Sequence, residues 1–229
     1  MSTLKVDKID PQTGTALEIG SSGDTMTVPS GATFTVAGTL GATSAANLTS
    51  IPAANVTGTL PAISGANLTG FTSSQMPAGC IVQAAQTVQT ATFTTTANAW
   101  DDITGMDVDI TPSDSNNKMI VTYTINCASQ TGQRFGVRLY RDSTALAYAT
   151  SVGNRQAATS IGKCTDAAES EHHTMTYIDS PATDSQVTYF LKCWAEGSGA
   201  FYLNRNHNDS NGDTYYRGVS TITAMELQV

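Results

Sequence analysis

The feature that most restricts this chain is a long segment without charge. From Thr25 to Trp100 there is no Lys, Arg, Asp or Glu. The segment is not apolar either: Thr, Ser, Ala, Gly and Asn dominate, with single aliphatic residues between them. Such a composition is either a disordered linker or a repetitive β-structure that completes its core with partner chains. Charged residues make up 13% of the chain, against about a quarter in an ordinary soluble domain, so the deficit is local.

Within and before this segment two patterns appear. Residues 1–40 alternate in short bursts, Leu4 and Val6, Leu17 and Ile19, Met26 and Val28, Phe34 and Val36. The turn signals Pro11-Gln-Thr-Gly14, Ser21-Ser-Gly-Asp24 and Pro29-Ser-Gly31 separate them. Short strands joined by tight turns are expected, with apolar faces too shallow for one chain to bury. Residues 41–78 carry an internal repeat, Asn47-Leu-Thr, Asn55-Val-Thr and Asn67-Leu-Thr, each preceded by Ala-Ala or Gly-Ala. Self-similarity at short period points to a solenoid or fibrous array. Three chains around one axis would pool the sparse aliphatics into a thin core, at roughly 25 cal/mol per Å² of apolar area removed from water. Collagen is excluded, because Gly does not recur at every third position.

Residues 79–229 read as an all-β domain. Strands are expected at 81–88, 93–95, 100–108, 119–127, 136–140, 145–150, 173–178, 187–195, 201–204 and 214–229. Turn clusters such as Thr111-Pro-Ser-Asp-Ser-Asn-Asn117 and Asn208-Asp-Ser-Asn-Gly-Asp213 separate them. That spacing fits a sandwich or barrel, and about 150 residues suffice for a core.

The net charge is −8, with no basic run, so neither nucleic acid nor an anionic membrane is an expected partner. The N-terminus lacks the pattern of a secretory signal, and no run of 18 apolar residues exists, so folding in a cytosol without membrane insertion is expected. In that compartment the four cysteines, Cys80, Cys127, Cys164 and Cys193, are expected as free thiols, buried for the most part. No Cys-x-x-Cys pair signals zinc or redox chemistry, and no cofactor is implied.

Several phrases resemble the fibre proteins of marine and cyanobacterial tailed bacteriophages. They are Ser2-Thr-Leu-Lys-Val-Asp7, Ser22 to Ala32 and the repeat from Asn55 to Gly70. Further on come Trp100-Asp-Asp-Ile-Thr-Gly-Met106, Leu139-Tyr-Arg-Asp-Ser143, Ile178-Asp-Ser-Pro181 and Ser220 to Leu227. The resemblance implies an all-β homotrimer. An N-terminal segment (1–40) anchors to a tail or capsid protein, a repeat shaft (41–78) follows, and the head (79–229) is a jelly roll of the complement C1q and tumour-necrosis-factor type. It implies a structural and attachment role rather than an enzyme. A capsid decoration protein of the same fold and a glycan depolymerase stay open as other readings.

Candidate sites follow from residue type. Asn204, Arg205, Asn206, His207, Asn208, Asp209, Asn211, Asp213, Tyr215 and Tyr216, near Tyr202 and Trp194, form an aromatic and amide-rich stretch suited to a host glycan. Trp194 itself is expected in the core. His172-His173 beside Glu169 and Glu171 could ligate a metal on a threefold axis, but no third ligand has motif spacing, which favours a polar strand entrance. Asp209 to Asp213 alternates oxygen ligands like part of a calcium loop, but Ser220 stands where its closing Glu belongs, which favours an Asx-rich turn. Asp101-Asp102 beside Trp100 suits a sugar-cleaving pair, but a strand edge explains them equally.

Overall fold

Strand β4 (Lys118–Ser129) shows the rule the domain follows. Met119, Val121, Tyr123, Ile125 and Cys127 are buried, while Ile120, Thr122, Thr124 and Asn126 between them are partly exposed. Period-two alternation of this kind leaves one face of a strand to the core and one to solvent. In the computed structural model, residues 75–213 and 215–229 are described, together with 25, 27–33 and 35.

Eleven strands follow one another without an α-helix among the described residues. They are β1 (Ile81–Gln89), β2 (Phe93–Thr95), β3 (Asp101–Ile110), β4, β5 (Arg134–Arg141), β6 (Thr144–Leu146), β7 (Ser160–Lys163), β8 (Glu171–Asp179), β9 (Val187–Ala195), β10 (Phe201–Leu203) and β11 (Ser220–Leu227). In the first sheet β8 pairs with β4, and β4 pairs on its other side with β11 and β10 end to end. β1 then lies beside β11, and β2 beside β10. In the second sheet the order is β3, β9, β5, and then β6 and β7 end to end. Every pairing is antiparallel. With β6 and β7 counted as one broken strand, the long strands run first-eighth-third-sixth in one sheet and second-seventh-fourth-fifth in the other. That is the double Greek key of a jelly roll.

The core lies between the sheets. Tyr123, Tyr189, Phe135, Phe201, Met106 and Met119 are its largest fully buried members. One irregularity is required by geometry. β3 shifts register against β9 between Asp102 and Asp107, and Gly105 there has φ 79°. A side chain at 105 would lie 1.9 Å from Gln89 Nε2, which donates to the Thr104 carbonyl at 2.9 Å. Only glycine fits such a bulge.

The chain enters and leaves this domain side by side. Gly79 N donates to the Gln228 carbonyl at 2.8 Å, and Gln228 N to the Cys80 carbonyl at 2.9 Å. The loop before β11 is therefore at the other end of the sandwich, a full strand length away.

Most expected strands are found, with three corrections. The strand expected over 145–150 stops at Leu146, because Ala147 turns to φ 47°. The strand expected from 214 begins at Ser220, because an ordered polar loop occupies the residues before it. Strand β7 was not expected; it is four residues long, and Ile161 is its one large apolar residue. Among the described residues of the N-terminal part, the Pro29-Ser-Gly31 turn is present. Ala32 N donates to the Pro29 carbonyl at 3.0 Å, and Gly31 has φ 84°. The other strands expected in 1–40 and the repeat around Asn47, Asn55 and Asn67 lie outside the described residues.

Candidate functional site

The stretch expected to meet a receptor divides when its side chains are placed. Asn204 and Asn206 are buried, which corrects their assignment to a contact surface. Asn204, at φ 58°, donates from Nδ2 to the carbonyls of Gln89 (2.8 Å) and Ala91 (2.9 Å). Its Oδ1 accepts from the Ser220 hydroxyl at 2.6 Å. It thereby ties the end of β10 to the β1–β2 connection and the start of β11. Asn206 Nδ2 donates to the Ala168 carbonyl, and its Oδ1 accepts from Asp209 N.

Much of the remaining chemistry is also spent within the loop. The Arg205 guanidinium lies 4.2 Å from the Tyr202 ring centre, and His207 stacks on the same ring at 5.5 Å. Asp209 holds Arg217 at 3.0 Å and Arg205 at 3.6 Å. Two arginines thus engage the Asp209 carboxylate. Asn208 Nδ2 donates to the Tyr215 hydroxyl. Asn208, Asn211, Asp213 and Tyr216 remain outward, and Tyr216 is 81% exposed. With Asp209, Gly212 and Arg217, Tyr216 borders a cleft of about 310 Å³.

The other candidates separate by strand parity. His172 points out of β8 and His173 points in, so one chain cannot bring both to one ion. His173 bonds Glu171 at 2.8 Å and packs its ring edge against Phe135. Asp101 accepts from the Thr95 hydroxyl at 2.7 Å, while Asp102 pairs with Lys192 at 2.7 Å. These neighbours face opposite ways, and no carboxylate pair forms. The four cysteines are free, and Cys127, Cys164 and Cys193 are buried. Burial, then Glu171 and the neighbouring cysteines, pushes the Cys127 thiol well up, so its thiolate is disfavoured.

Sequence reasoning missed the two outer faces of the sandwich. On the β1–β11–β4–β8 sheet, three rows of four cross all strands: Ala84-Met225-Ile120-Ile178, Gln86-Thr223-Thr122-Thr176 and Val88-Thr221-Thr124-Thr174. None of these residues is charged. The Thr122 and Thr176 hydroxyls are 3.0 Å apart, those of Thr124 and Thr174 3.1 Å, and Gln86 donates to Thr223 at 2.8 Å. Every carboxylate of these strands is turned to the inner side. Glu226 is fully buried and accepts from Ser113 N and Oγ, Asn117 Nδ2 and Gln83 Nε2. Burial opposes its charge, but those hydrogen bonds outweigh burial and hold the carboxyl below its usual range. Asp179 pairs with Arg141 and accepts from the Tyr189 hydroxyl at 2.8 Å. Glu171 bonds His173 and Lys163 N.

The opposite sheet is built differently. Its outer face carries Asp102, Asp107, Asp109, Lys192, Arg138 and Arg134, with Phe190 stacked on Tyr140 at 5.4 Å. Trp194 belongs here, half-buried on the outer side of β9, which corrects its expected place in the core. The signal was present in the sequence: Trp194 shares its parity with Thr188 and Lys192.

No protein-family model and no curated protein matches the sequence. Among solved structures, the chain is similar to one described as the structure of infectious bursal disease virus, Gx strain. The TM-score is 0.32 and the identity 11%, over 65% of this chain and 37% of that one. So loose a likeness carries no argument about function.

Proposed function

We propose that this chain is a virion structural protein of a tailed bacteriophage, a short trimeric fibre whose jelly-roll head attaches the particle to the host surface. The observation that carries this reading is the three central rows of the outer β1–β11–β4–β8 face, twelve residues without a charge, with Lys118 at the rim of that face. A free domain gains nothing by keeping charge off the centre of a sheet face, and exposed faces of antiparallel sheets are ordinarily polar and charged. Packed against further copies of the same chain, the face brings threonines and aliphatics together without stacking like charges around an axis. The charge-free repeat at 41–78 follows the same logic. The outward part of the 204–219 loop lies at the end of the sandwich away from Gly79, where a head on a stem would meet a surface.

Two measurements test this reading. Light scattering on the full chain is expected to give three chains per particle; a monomer would overturn it. Labelling of intact virions with an antibody to the head is expected at the tail. Label spread over the capsid would make the protein a decoration or head fibre instead, and unlabelled virions would remove it from the particle.

A further inference from the structure

We propose that a trough on the outer face of the β3–β9–β5–β7 sheet, walled by Trp194 and Ile161, binds an anionic saccharide. This deepens the attachment reading above and rests on it for its biological meaning, though the binding can be tested by itself.

The trough follows from register. Gly136 on β5 is opposite Trp194 of β9 on one side and Ile161 of β7 on the other. Gly136 is buried, and a Cβ there would lie 3.1 Å from the Trp100 ring and 3.3 Å from Ala158. Glycine thus lets Trp100 and Ala158 pack down over β5, and the cleft lies between the Trp194 indole and Ile161, which is 75% exposed. The cleft so formed measures about 840 Å³, within the range of small-molecule sites, which runs to about 1,000 Å³. An indole in the wall of a cleft offers a surface on which the C–H face of a sugar ring stacks.

The rim selects the charge. Arg134, Arg155 and Lys163 line the cleft with the amides of Asn154 and Gln156. Glu196 is the one acid among the lining residues, and it is engaged: it accepts from Arg134 N at 2.9 Å and Arg134 Nη1 at 3.0 Å. The Arg155 guanidinium and the Lys163 ammonium have no ion-pair partner among the described residues. A chain of net charge −8 therefore gathers 3 of its 11 basic residues around one aromatic trough. A carboxylate, sulfate or phosphate on a sugar complements that rim, and the amides bond its hydroxyls. A neutral sugar would leave the two cations unanswered. A polyanion without rings that stack would not use Trp194.

The site also faces the right way. β5 begins just after the turn at 130–133, and Thr131 in that turn hydrogen-bonds His207 of the distal loop at 3.0 Å. The trough thus lies near the end of the sandwich opposite Gly79, on the sheet that the proposed self-association leaves free.

The test is calorimetric titration of the full chain with three probes: a uronate hexasaccharide, a sulfated galactose hexasaccharide and a neutral glucose hexasaccharide. Binding of at least one anionic probe and not of the neutral one is expected. It should weaken about tenfold or more in Trp194→Ala and in Arg155→Glu/Lys163→Glu, and it should weaken with added salt. The double variant changes exposed side chains alone, so it remains informative if Trp194→Ala fails to fold. No binding to either anionic probe, or equal binding to the neutral one, would overturn the proposal. So would saccharide binding unchanged in the double variant. Light scattering on the same samples separates this outcome from failure of the trimer. A trimer that binds no saccharide removes the site and leaves the fibre.

Discussion

The two outer faces of the sandwich are made from strands of similar length and opposite chemistry. One presents threonine ladders and an aliphatic row; the other presents carboxylates, guanidiniums and stacked rings. Their inner faces are alike, and both supply the same core. On the proposed assembly, the difference lies in what each face meets outside the domain. A surface that packs against its own copies must avoid charges that would be repeated around the axis. A surface left to solvent can keep them, and can arrange them for a ligand.

The sharpest way to break this contrast is to put one charge on each face. Thr122→Arg, at the centre of the threonine rows, is expected to convert the proposed trimer to monomers, since like charges brought together cost several kcal/mol. Thr104→Arg on the opposite sheet is expected to leave the mass unchanged. Light scattering reads both, and equal behaviour would end the distinction between the faces.

Next in size is Asn204→Ala, which belongs to neither face. It leaves the Gln89 and Ala91 carbonyls and the Ser220 hydroxyl without their partner and places alanine at φ 58°. A loss of about 3 kcal/mol in urea denaturation is expected. An effect under about 1 kcal/mol would mean that the loop is not the fastener described.

The buried Glu226 gives a test on the inner side of the sheet that bears the threonine rows. Glu226→Gln, which turns an amide donor toward donors already in place, is expected to cost about 2 kcal/mol. The wild-type carboxyl titrates lower in the folded chain than its ordinary value of 4.5. Its stabilisation is therefore fully present above that value and lost as pH falls through the folded value. Denaturation between pH 7 and about pH 3 should show the wild type losing more stability than the variant. Parallel curves would remove Glu226 from the pH dependence.

The smallest effect is expected on the charged face. The Arg138 guanidinium lies 3.9 Å from the Trp100 ring centre and donates to the Ala157 carbonyl. Arg138→Met should cost about 1 kcal/mol with no change in mass.

Much of the fold was legible because period-two alternation is a direct consequence of strand geometry. Val187–Ala195 carries Thr188 and Lys192 at one parity and Val187, Tyr189, Leu191 and Cys193 at the other, and the structure has that strand from end to end, with Phe190 and Trp194 on the outward side. Strand β7 was not legible, since a four-residue strand with Gly162 and a single large apolar residue has no period to read. The receptor stretch was legible as a polar loop beyond β10. Its orientation was not: strand parity ends at Leu203, and the burial of Asn204 and Asn206 depends on carbonyls contributed by distant parts of the chain. The trough between Trp194 and Ile161 depends on three strands in register, which no local pattern encodes.

The pairing of Gly79 with Gln228 bears on force. A tension that enters at Gly79 and is resisted at the far end of the sandwich runs along β1, which is bonded to β11 from Ile81–Leu227 to Gln89–Ser220. The rungs of that ladder then carry the load side by side, in shear, instead of opening one after another. If the domain is the head of an anchored fibre, as proposed, it would stay folded under a pull on that anchor.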